Sequence, residues 1–229
     1  MTTTLLETLE IETAANPTHA VIWLHGLGAD GNDFAPIVPE LGLKDTPAVR
    51  FIFPHAPVMP VTINNGMSMR AWYDIVDTNL GRREDAQGIK ASQKRVEALI
   101  QNENSRGIET KNIVLAGFSQ GCAMTLQTGL RYPEKLAGLL CLSGYLPLHD
   151  SLAQERNPAN NDTPIFMAHG TQDPVVPLDR AEASRQILTE LGYNINWQTY
   201  PMPHSVCAPE VADIAKFLKQ VLIANPDKS

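Results

Sequence analysis

Short apolar runs of strand length alternate along the chain with amphipathic or small-residue segments. Near-continuous apolar runs cover residues 19–24, 50–53, 112–116, 136–143 and 164–170. Strands that are buried on both faces have this pattern, because their apolar side chains project to either side of a sheet. The alternation of such strands with helical segments predicts an α/β fold, with a mostly parallel central sheet and helices on both faces.

The segments between these strands include both regular and irregular stretches. Helices are predicted over residues 84–103, 178–191 and 209–223, and residues 4–13 alternate as expected of an edge strand. Residues 54–83 have no clear period, which is typical of a functional or mobile segment. Residues 146–162 are a polar excursion. With no internal repeat or linker, the sequence predicts a single domain over residues 1–229.

Composition and charge exclude several classes of protein. Hydrophobic residues make up 43% of the 229 residues, which is ordinary for a globular protein. The net charge is -7 and no basic cluster is denser than Arg82-Arg83, which argues against nucleic-acid binding. No signal peptide and no membrane span are predicted. Three scattered cysteines suit neither a disulfide framework nor a metal site, so a reducing cytoplasm is expected.

One motif stands at the end of the third apolar run. Gly117-Phe-Ser119-Gln120-Gly121 follows a predicted strand and precedes a segment of helical character. In this context Gly-x-Ser-x-Gly predicts a nucleophile elbow, in which a strained turn holds the serine hydroxyl clear of the sheet. Side chains at Gly117 and Gly121 would collide with neighbouring elements. By composition alone the motif is weak evidence, and its position between strand and helix strengthens it.

A serine hydroxyl needs a base, and the base needs an acid that fixes its tautomer. On an αβ-hydrolase sheet the order along the chain is serine, acid, histidine, with each residue in a loop at a strand exit. His204 lies after the last predicted strand and downstream of the candidate acids, so it is the predicted base. Asp173 follows a buried strand and precedes Pro174, so it is the predicted acid. The competing histidine, His169, precedes the acid and is interpreted as structural.

Other acidic residues fit this role less well. Asp150 and Asp162 lie in the polar excursion, Asp179 suits a helix start, and Asp213 suits a helix surface. Taken alone, Asp173 would be interpreted as a turn residue.

Acyl transfer also needs donors for the tetrahedral oxyanion. The residue after the nucleophile, Gln120, supplies one backbone N–H, and its backbone is expected to matter more than its side-chain amide. The glycine-rich loop from His25 to Gly28 fits the second donor, the backbone N–H of Leu27. A phosphate-binding loop is excluded because the Gly-Lys-Ser/Thr ending and the Rossmann spacing are missing.

Taken together, six motifs in order resemble the carboxylesterase / acyl-protein thioesterase family. They are His25-Gly-Leu-Gly28, Trp72-Tyr-Asp74, Gly117-Phe-Ser-Gln-Gly121, Ser143-Gly-Tyr-Leu-Pro147, His169-Gly-Thr-Gln-Asp-Pro-Val-Val-Pro177 and His204-Ser205. The similarity extends from about residue 17 to about residue 223 and looks like that of a bacterial member.

The resemblance implies an αβ-hydrolase fold without a separate lid domain, and a serine hydrolase that needs no cofactor or metal. It carries the nucleophile, acid and base onto Ser119, Asp173 and His204, and the oxyanion donors onto Leu27 and Gln120. Such enzymes accept short and medium acyl esters, some thioesters and some lysophospholipids, and a homodimer is an expected assembly. The residues around His204 depart from the family pattern, which favours simple ester hydrolysis as the main activity. Acyl-protein thioesterase or lysophospholipase activity is the alternative.

Four residues are predicted to line the acyl pocket: Leu27, Trp72, Leu146 and Val176. Methionines of the segment 59–69 are expected near its mouth, because unbranched side chains make adaptable apolar walls. For any single methionine, a place in the core or at the surface is the simpler interpretation.

Two other functional classes remain open: a non-catalytic protein of this fold, and a different hydrolase on the same fold, such as a dienelactone hydrolase or a peptidase. A non-catalytic protein of this fold could bind a small apolar ligand, which a single esterase assay decides. A dienelactone hydrolase would carry cysteine at the elbow, whereas Cys122 lies three positions further on and is expected to face the core. A peptidase would need a gating domain for which the chain has no room.

Overall fold

The central sheet contains seven strands in the computed structural model, which describes residues 5–76 and 84–223. The strands of the described residues, of which β4 and β5 form a separate two-stranded sheet, are in chain order β1 (Thr8–Glu12), β2 (His19–Leu24), β3 (Val49–Pro54), β4 (Val58–Val61), β5 (Met67–Arg70), β6 (Ile113–Phe118), β7 (Gly138–Leu142), β8 (Ile165–Gly170) and β9 (Ile195–Tyr200). The α-helices are α1 (Ala86–Ser105), α2 (Gln120–Gly129), α3 (His149–Glu155), α4 (Leu178–Glu190) and α5 (Ala208–Ile223). Short 3-10 helices cover Ala35–Leu41, Thr62–Asn64, Thr110–Asn112 and Pro158–Asn160.

The strand order in this sheet is β1-β3-β2-β6-β7-β8-β9. The pair β1–β3 is antiparallel, and the other five pairs in this order are parallel. The register pairs Leu24 with Gly117 and Phe118 with Leu142, so β2, β6 and β7 end side by side. Their shared direction brings the loops after β2, β6, β8 and β9 to one edge of the sheet. The predicted αβ-hydrolase fold is confirmed.

Two apolar layers pack on the two faces of the sheet. Ala20, Ile22 and Leu24 of β2 belong to the layer that includes α1 and α2. Val21 and Trp23, the alternate residues of the same strand, belong to the layer that includes α5. Successive side chains of a strand point to opposite faces, so a strand covered on both sides must be apolar throughout. This burial explains the uninterrupted apolar runs in the sequence.

The segment predicted to be irregular contains a β-hairpin over its described part. β4 and β5 pair in antiparallel fashion, with Val61 opposite Met67. The connection ends with Asn65 and Gly66, both at positive φ (55° and 74°), a conformation that Asn-Gly adopts readily. Val58 and Met67 are exposed, so the strands lack the alternation that marks a half-buried strand. Residues 77–83 of the predicted segment lie outside the described residues.

The polar excursion also contains regular structure. α3 is a helix of seven residues, too short for its one buried side chain, Leu152, to set up a helical period. The next element is the 3-10 helix Pro158–Asn160. It is capped by the preceding residue, Asn157, whose side chain accepts a hydrogen bond from the backbone N–H of Ala159. Hydrophobic patterning therefore marks neither element, and the 3-10 helix is marked instead by a local side-chain hydrogen bond.

The described residues show neither a membrane-crossing helix nor a metal cluster. In this part of the chain, no helix is both long enough and apolar enough to cross a bilayer. No three His, Cys, Asp or Glu side chains there are grouped as metal ligands would be. Cys122, Cys141 and Cys207 are free thiols, and Cys122 is buried on α2, as predicted.

The predicted nucleophile elbow depends on two close backbone contacts. A Cβ atom at Gly117 would collide with the carbonyl group of Gly121, and a Cβ atom at Gly121 would collide with the carbonyl oxygen of Leu24. One obstacle belongs to α2 and the other to β2, and both are backbone atoms, which cannot move aside as a flexible side chain could. These two glycines let α2 begin directly against β2 and β6.

We expect Gly121→Ala to lower the free energy of unfolding by about 3 kcal/mol, because the collision forces α2 away from the sheet. The matched control is Gly42→Ala, since Gly42 has φ 55° and a Cβ atom added there would meet no other atom within 4 Å. There the loss should be only about 1 kcal/mol, the cost of a left-handed alanine. Urea unfolding measures both. Equal losses would contradict the steric explanation.

Candidate active site

Ser119 sits at the tip of the elbow in a conformation that non-glycine residues rarely adopt. Its φ is 56° and its ψ is -118°. Its backbone N–H donates to the carbonyl oxygen of Leu142 (2.9 Å), and its carbonyl oxygen accepts from Ala123 (3.2 Å). These bonds to β7 and to α2 hold the strained residue in place from both sides. The side chain therefore leaves the backbone at the carboxyl edge of the sheet.

Asp173 presents a buried carboxylate in the loop after β8. Oδ1 accepts hydrogen bonds from the backbone N–H groups of Val175 (2.8 Å) and Val176 (2.9 Å). Oδ2 lies 2.6 Å from Nδ1 of His204. The side chain is 0% exposed. A carboxylate held by its own loop in this way has a fixed orientation toward the histidine.

His204 lies in the loop after β9, beside the elbow. Its Nδ1–H donates to Asp173, which fixes the tautomer and leaves Nε2 as the basic nitrogen. The imidazole ring packs against the ring of Phe118, with 4.7 Å between the centroids. Phe118 immediately precedes Ser119, so this contact brings the imidazole ring beside the elbow. The structure thus brings the three predicted residues of the triad to one edge of the sheet.

Two predicted oxyanion donors line the same cavity as Ser119. Gln120 is the first residue of α2, and the N–H groups of a first helical turn have no partner within the helix. Leu27 lies opposite, in a loop where Gly28 has φ 77° and donates to the carbonyl oxygen of Arg70 (2.9 Å). A Cβ atom at Gly26 would lie 3.4 Å from Cβ of Ser119, so this loop packs directly on Ser119. Their role as donors stays a prediction.

An apolar cavity of about 370 Å³ opens beside Ser119. Its lining comes from several separate segments of the chain. They contribute Leu27, Ile63, Asn64, Tyr73, Ile75, Ser119, Gln120, Tyr145, Pro174, Val175 and Val176. Of the four residues predicted to form the acyl pocket, Leu27 and Val176 are among these. The segment 59–69, whose methionines were expected near the mouth, contributes Ile63 and Asn64 instead, and none of its methionines is among the lining residues.

The two remaining pocket predictions need correction, because Trp72 and Leu146 are not among the residues that line the cavity. Trp72 is 1% exposed, and its Nε1–H donates to the carbonyl oxygen of His25 (2.9 Å). Leu146 is 3% exposed, and its backbone N–H donates to Oγ of Ser184 (2.9 Å). Their chain neighbours, Tyr73 and Tyr145, line the cavity instead.

The side-chain amide of Gln120 has a structural role that the sequence did not indicate. Its Oε1 accepts from the backbone N–H of Trp72 (2.8 Å), and its Nε2 donates to the carbonyl oxygen of Tyr73 (2.7 Å). Gln120 is 2% exposed, so both bonds are shielded from water. The expectation that its backbone matters more than its amide is therefore incomplete. The amide fixes the stretch of chain that forms one wall of the cavity.

His25 anchors the loop that carries Leu27. Its Nδ1–H donates to the carbonyl oxygen of Gly26 (2.7 Å), and its Nε2 accepts from the backbone N–H of Ala56 (3.0 Å). The two bonds require opposite roles of the ring nitrogens, which only the neutral imidazole can fill. Burial is the largest cause that lowers the pKa of His25, in agreement with this neutral form.

A buried carboxyl group lies in the first turn of α5, the helix that follows the His204 loop. Glu210, in the first turn of α5, is 0% exposed. Burial raises the pKa of Glu210 to about 7, opposed by the backbone N–H of Cys207 and reinforced by the charge of Asp213. Asp213 accepts a hydrogen bond from Tyr200 at the end of β9 (2.7 Å). Ionisation of Glu210 therefore works against the packing of α5 beside the candidate site.

Comparison with known proteins places this geometry in a family. The family described as Phospholipase/Carboxylesterase matches residues 6–222. The chain belongs to that family. Curated relatives named acyl-protein thioesterase 1 include a Neurospora crassa protein, 44% identical over 230 residues that cover 96% of this chain and 94% of the relative. A Gibberella zeae protein of the same name is 43% identical over 219 residues, which cover 91% of this chain and 93% of the relative.

Solved structures of other proteins superpose over most of the chain. Arabidopsis thaliana SOBER1 has a TM-score of 0.83 at 33% identity, covering 89% of this chain and 99% of that one. Zea mays acyl-protein thioesterase 2 has a TM-score of 0.84 at 27% identity, and the superposition covers 94% of this chain and 99% of that one. The curated relatives named above are fungal, so they do not support the expected bacterial origin. Their names also favour the thioesterase alternative over the carboxylesterase first expected.

We expect Gln120→Met to lower the free energy of unfolding by about 2–4 kcal/mol, because it leaves a buried N–H at Trp72 and a buried carbonyl at Tyr73 unpaired. Methionine has a similar length and keeps the backbone N–H. Gln101→Met, at an exposed position on α1, is the control. Thermal unfolding followed by circular dichroism provides the measurement. An unchanged melting temperature would show that the amide is dispensable.

Glu210→Gln tests the buried carboxyl group through pH. The folded-state pKa of about 7 lies above the usual 4.5, so wild type loses stability as pH rises between these values. The variant lacks this loss. Its free energy of unfolding relative to wild type should therefore rise from pH 4.5 to 7, by up to about 3 kcal/mol, and level off above. Glu40→Gln, at an exposed site, is the control. A difference that does not vary with pH would refute the raised pKa.

Proposed function

We propose that this protein is a serine hydrolase that removes acyl groups from thioesters, and from oxygen esters as a second class, through Ser119, His204 and Asp173. The observation that carries the proposal is the 2.6 Å contact between Asp173 and His204 beside the strained Ser119. The names of the relatives support thioesters as the first substrate class.

Acylation begins when Ser119 attacks the acyl carbonyl carbon and Nε2 of His204 takes the hydroxyl proton. Asp173 stabilises the resulting imidazolium through Nδ1–H. The oxyanion binds to the backbone N–H groups of Leu27 and Gln120. The tetrahedral intermediate then expels the thiol or alcohol, which receives the proton from His204. Water repeats the same steps on the acyl-enzyme and releases the carboxylic acid.

The cavity fits an acyl chain better than a polar head group. Its lining is mostly aliphatic and aromatic, and it opens at Ser119, so the acyl carbonyl can lie at the nucleophile while the chain enters the cavity. A cysteine thiol has a pKa of about 8.5, which makes it a good leaving group that needs little help from a general acid. The same site therefore suits thioesters without an additional general acid.

Substrate class and nucleophile are tested together with S-acyl-N-acetylcysteamine thioesters and p-nitrophenyl esters of matched chain length. We expect both to be hydrolysed, and Ser119→Ala to lower kcat by roughly 10⁴-fold or more on each. A fluorophosphonate should label Ser119, as mapped by peptide mass spectrometry. Ser105→Ala, at an exposed position at the end of α1, should behave as wild type.

The outcomes separate the candidate functions. Turnover that survives in Ser119→Ala, or labelling at another residue, would show that the triad assignment is wrong. Hydrolysis of esters alone would leave a serine hydrolase and remove the thioesterase proposal. Binding of apolar ligands without any turnover would favour the non-catalytic alternative. Lysophospholipid, included in the same panel, tests the remaining substrate class.

A further inference from the structure

His169 is a second histidine beside the candidate acid, and the mechanism above does not use it. It lies near the end of β8 and is 0% exposed. Its Nε2–H donates to the carbonyl oxygen of Val176 (2.8 Å). The same nitrogen lies 3.4 Å from Oδ2 of Asp173, the oxygen that binds His204. One ring atom thus faces both the acid and the loop that holds it.

Val176 is the residue through which this contact reaches the substrate cavity. Its backbone N–H donates to Oδ1 of Asp173 (2.9 Å), its carbonyl oxygen accepts from His169, and the residue lines the cavity. Val176 is 3% exposed, so these bonds are made away from bulk water. A displacement of Val176 would therefore move the cavity wall and the carboxylate together.

The surroundings of His169 favour a neutral ring. Burial is the largest cause that lowers its pKa. The charged or titratable groups that face it are Asp173 in the loop that follows, His204 in the loop after β9 and Glu182 on α4. Nδ1 is buried and has no hydrogen-bond partner among the described residues. A neutral ring donates one hydrogen bond without adding a positive charge that would compete with His204 for Asp173.

We propose that His169 is a positioning residue that holds the acid loop, residues 171–177, so that acyl-chain binding against Val176 and the orientation of Asp173 are coupled. It does not act as the base, because its Nε2 proton is committed to a carbonyl oxygen and its ring is buried. This inference rests on the proposed function, since it assigns Asp173 the role of the acid.

The test compares two substitutions of nearly equal length. In His169→Gln, the amide N–H can still donate to Val176, so kcat should stay within about threefold of wild type. In His169→Met the donor is lost, and kcat should fall by about 10- to 100-fold as the carboxylate shifts. KM of the Met variant should rise more for octanoyl than for acetyl thioesters, because the cavity wall moves as well. His149→Gln, exposed on α3, is the control and should match wild type.

A measurement that does not need turnover accompanies the kinetics. The proton shared by Nδ1 of His204 and Asp173 should give a far-downfield NMR resonance in wild type and in His169→Gln. In His169→Met we expect this resonance to shift or broaden. Circular dichroism identifies a temperature at which each variant is folded, and the kinetics and spectra are recorded at that temperature. The resonance stays informative even if the wild-type protein hydrolyses no substrate, so failure of this inference and failure of the proposed function are distinguishable.

Equal kcat values and equal resonances in the Gln and Met variants would overturn the proposal. So would a folded Met variant with wild-type values. If the Met variant does not fold at any temperature, the Gln variant decides alone: retention of kcat and of the resonance supports a role for the donor, and loss of both overturns it. A rise in KM without any change in kcat or in the resonance would also overturn the coupling.

Discussion

The close approach of α2 to the centre of the sheet is the contact on which the rest of the candidate site depends. Gly117 and Gly121 allow it because a Cβ atom at either position would meet backbone carbonyl groups. As a result the helix starts within one residue of the strand, and Ser119 must turn between them at positive φ. The same geometry aims the free N–H groups of the first helical turn at the space above the serine. The candidate nucleophile and one candidate oxyanion donor thus come from a single packing arrangement.

Buried hydrogen bonds connect this elbow to two loops that are distant in sequence. The amide of Gln120 binds the backbone N–H of Trp72 and the carbonyl oxygen of Tyr73, and the indole of Trp72 binds the carbonyl oxygen of His25. The path from α2 to the Leu27 loop is therefore continuous and shielded from water. Such bonds contribute modestly when formed, but each is costly to break singly in a buried site. They hold the loop that carries Leu27 at a fixed distance from Ser119.

The sheet and the grouping of Ser119, Asp173 and His204 were predictable because each rests on a strong physical signal. Strands covered on both faces must be apolar throughout, and parallel strands bring their exit loops to one edge, so Asp173 and His204 could be paired without knowing their distance. The pocket was less predictable. Trp72 and Leu146 were chosen for size and hydrophobicity. Because the side chains of adjacent residues point in different directions, an error of one position selects a core residue in place of a residue that lines the cavity. Hydrophobicity marks both environments alike.

The cavity differs from the triad in where its walls originate. Ser119 is fixed by the central sheet, whereas Ile63 and Asn64 come from the connection between β4 and β5, which packs outside the sheet. Walls of this kind can change in sequence without disturbing the strands that hold Ser119. Val176 is different, because its backbone binds the candidate acid while the residue also lines the cavity. Substitutions that reshape the cavity should therefore be tolerated more freely on the hairpin side of the cavity than on the side of the acid loop.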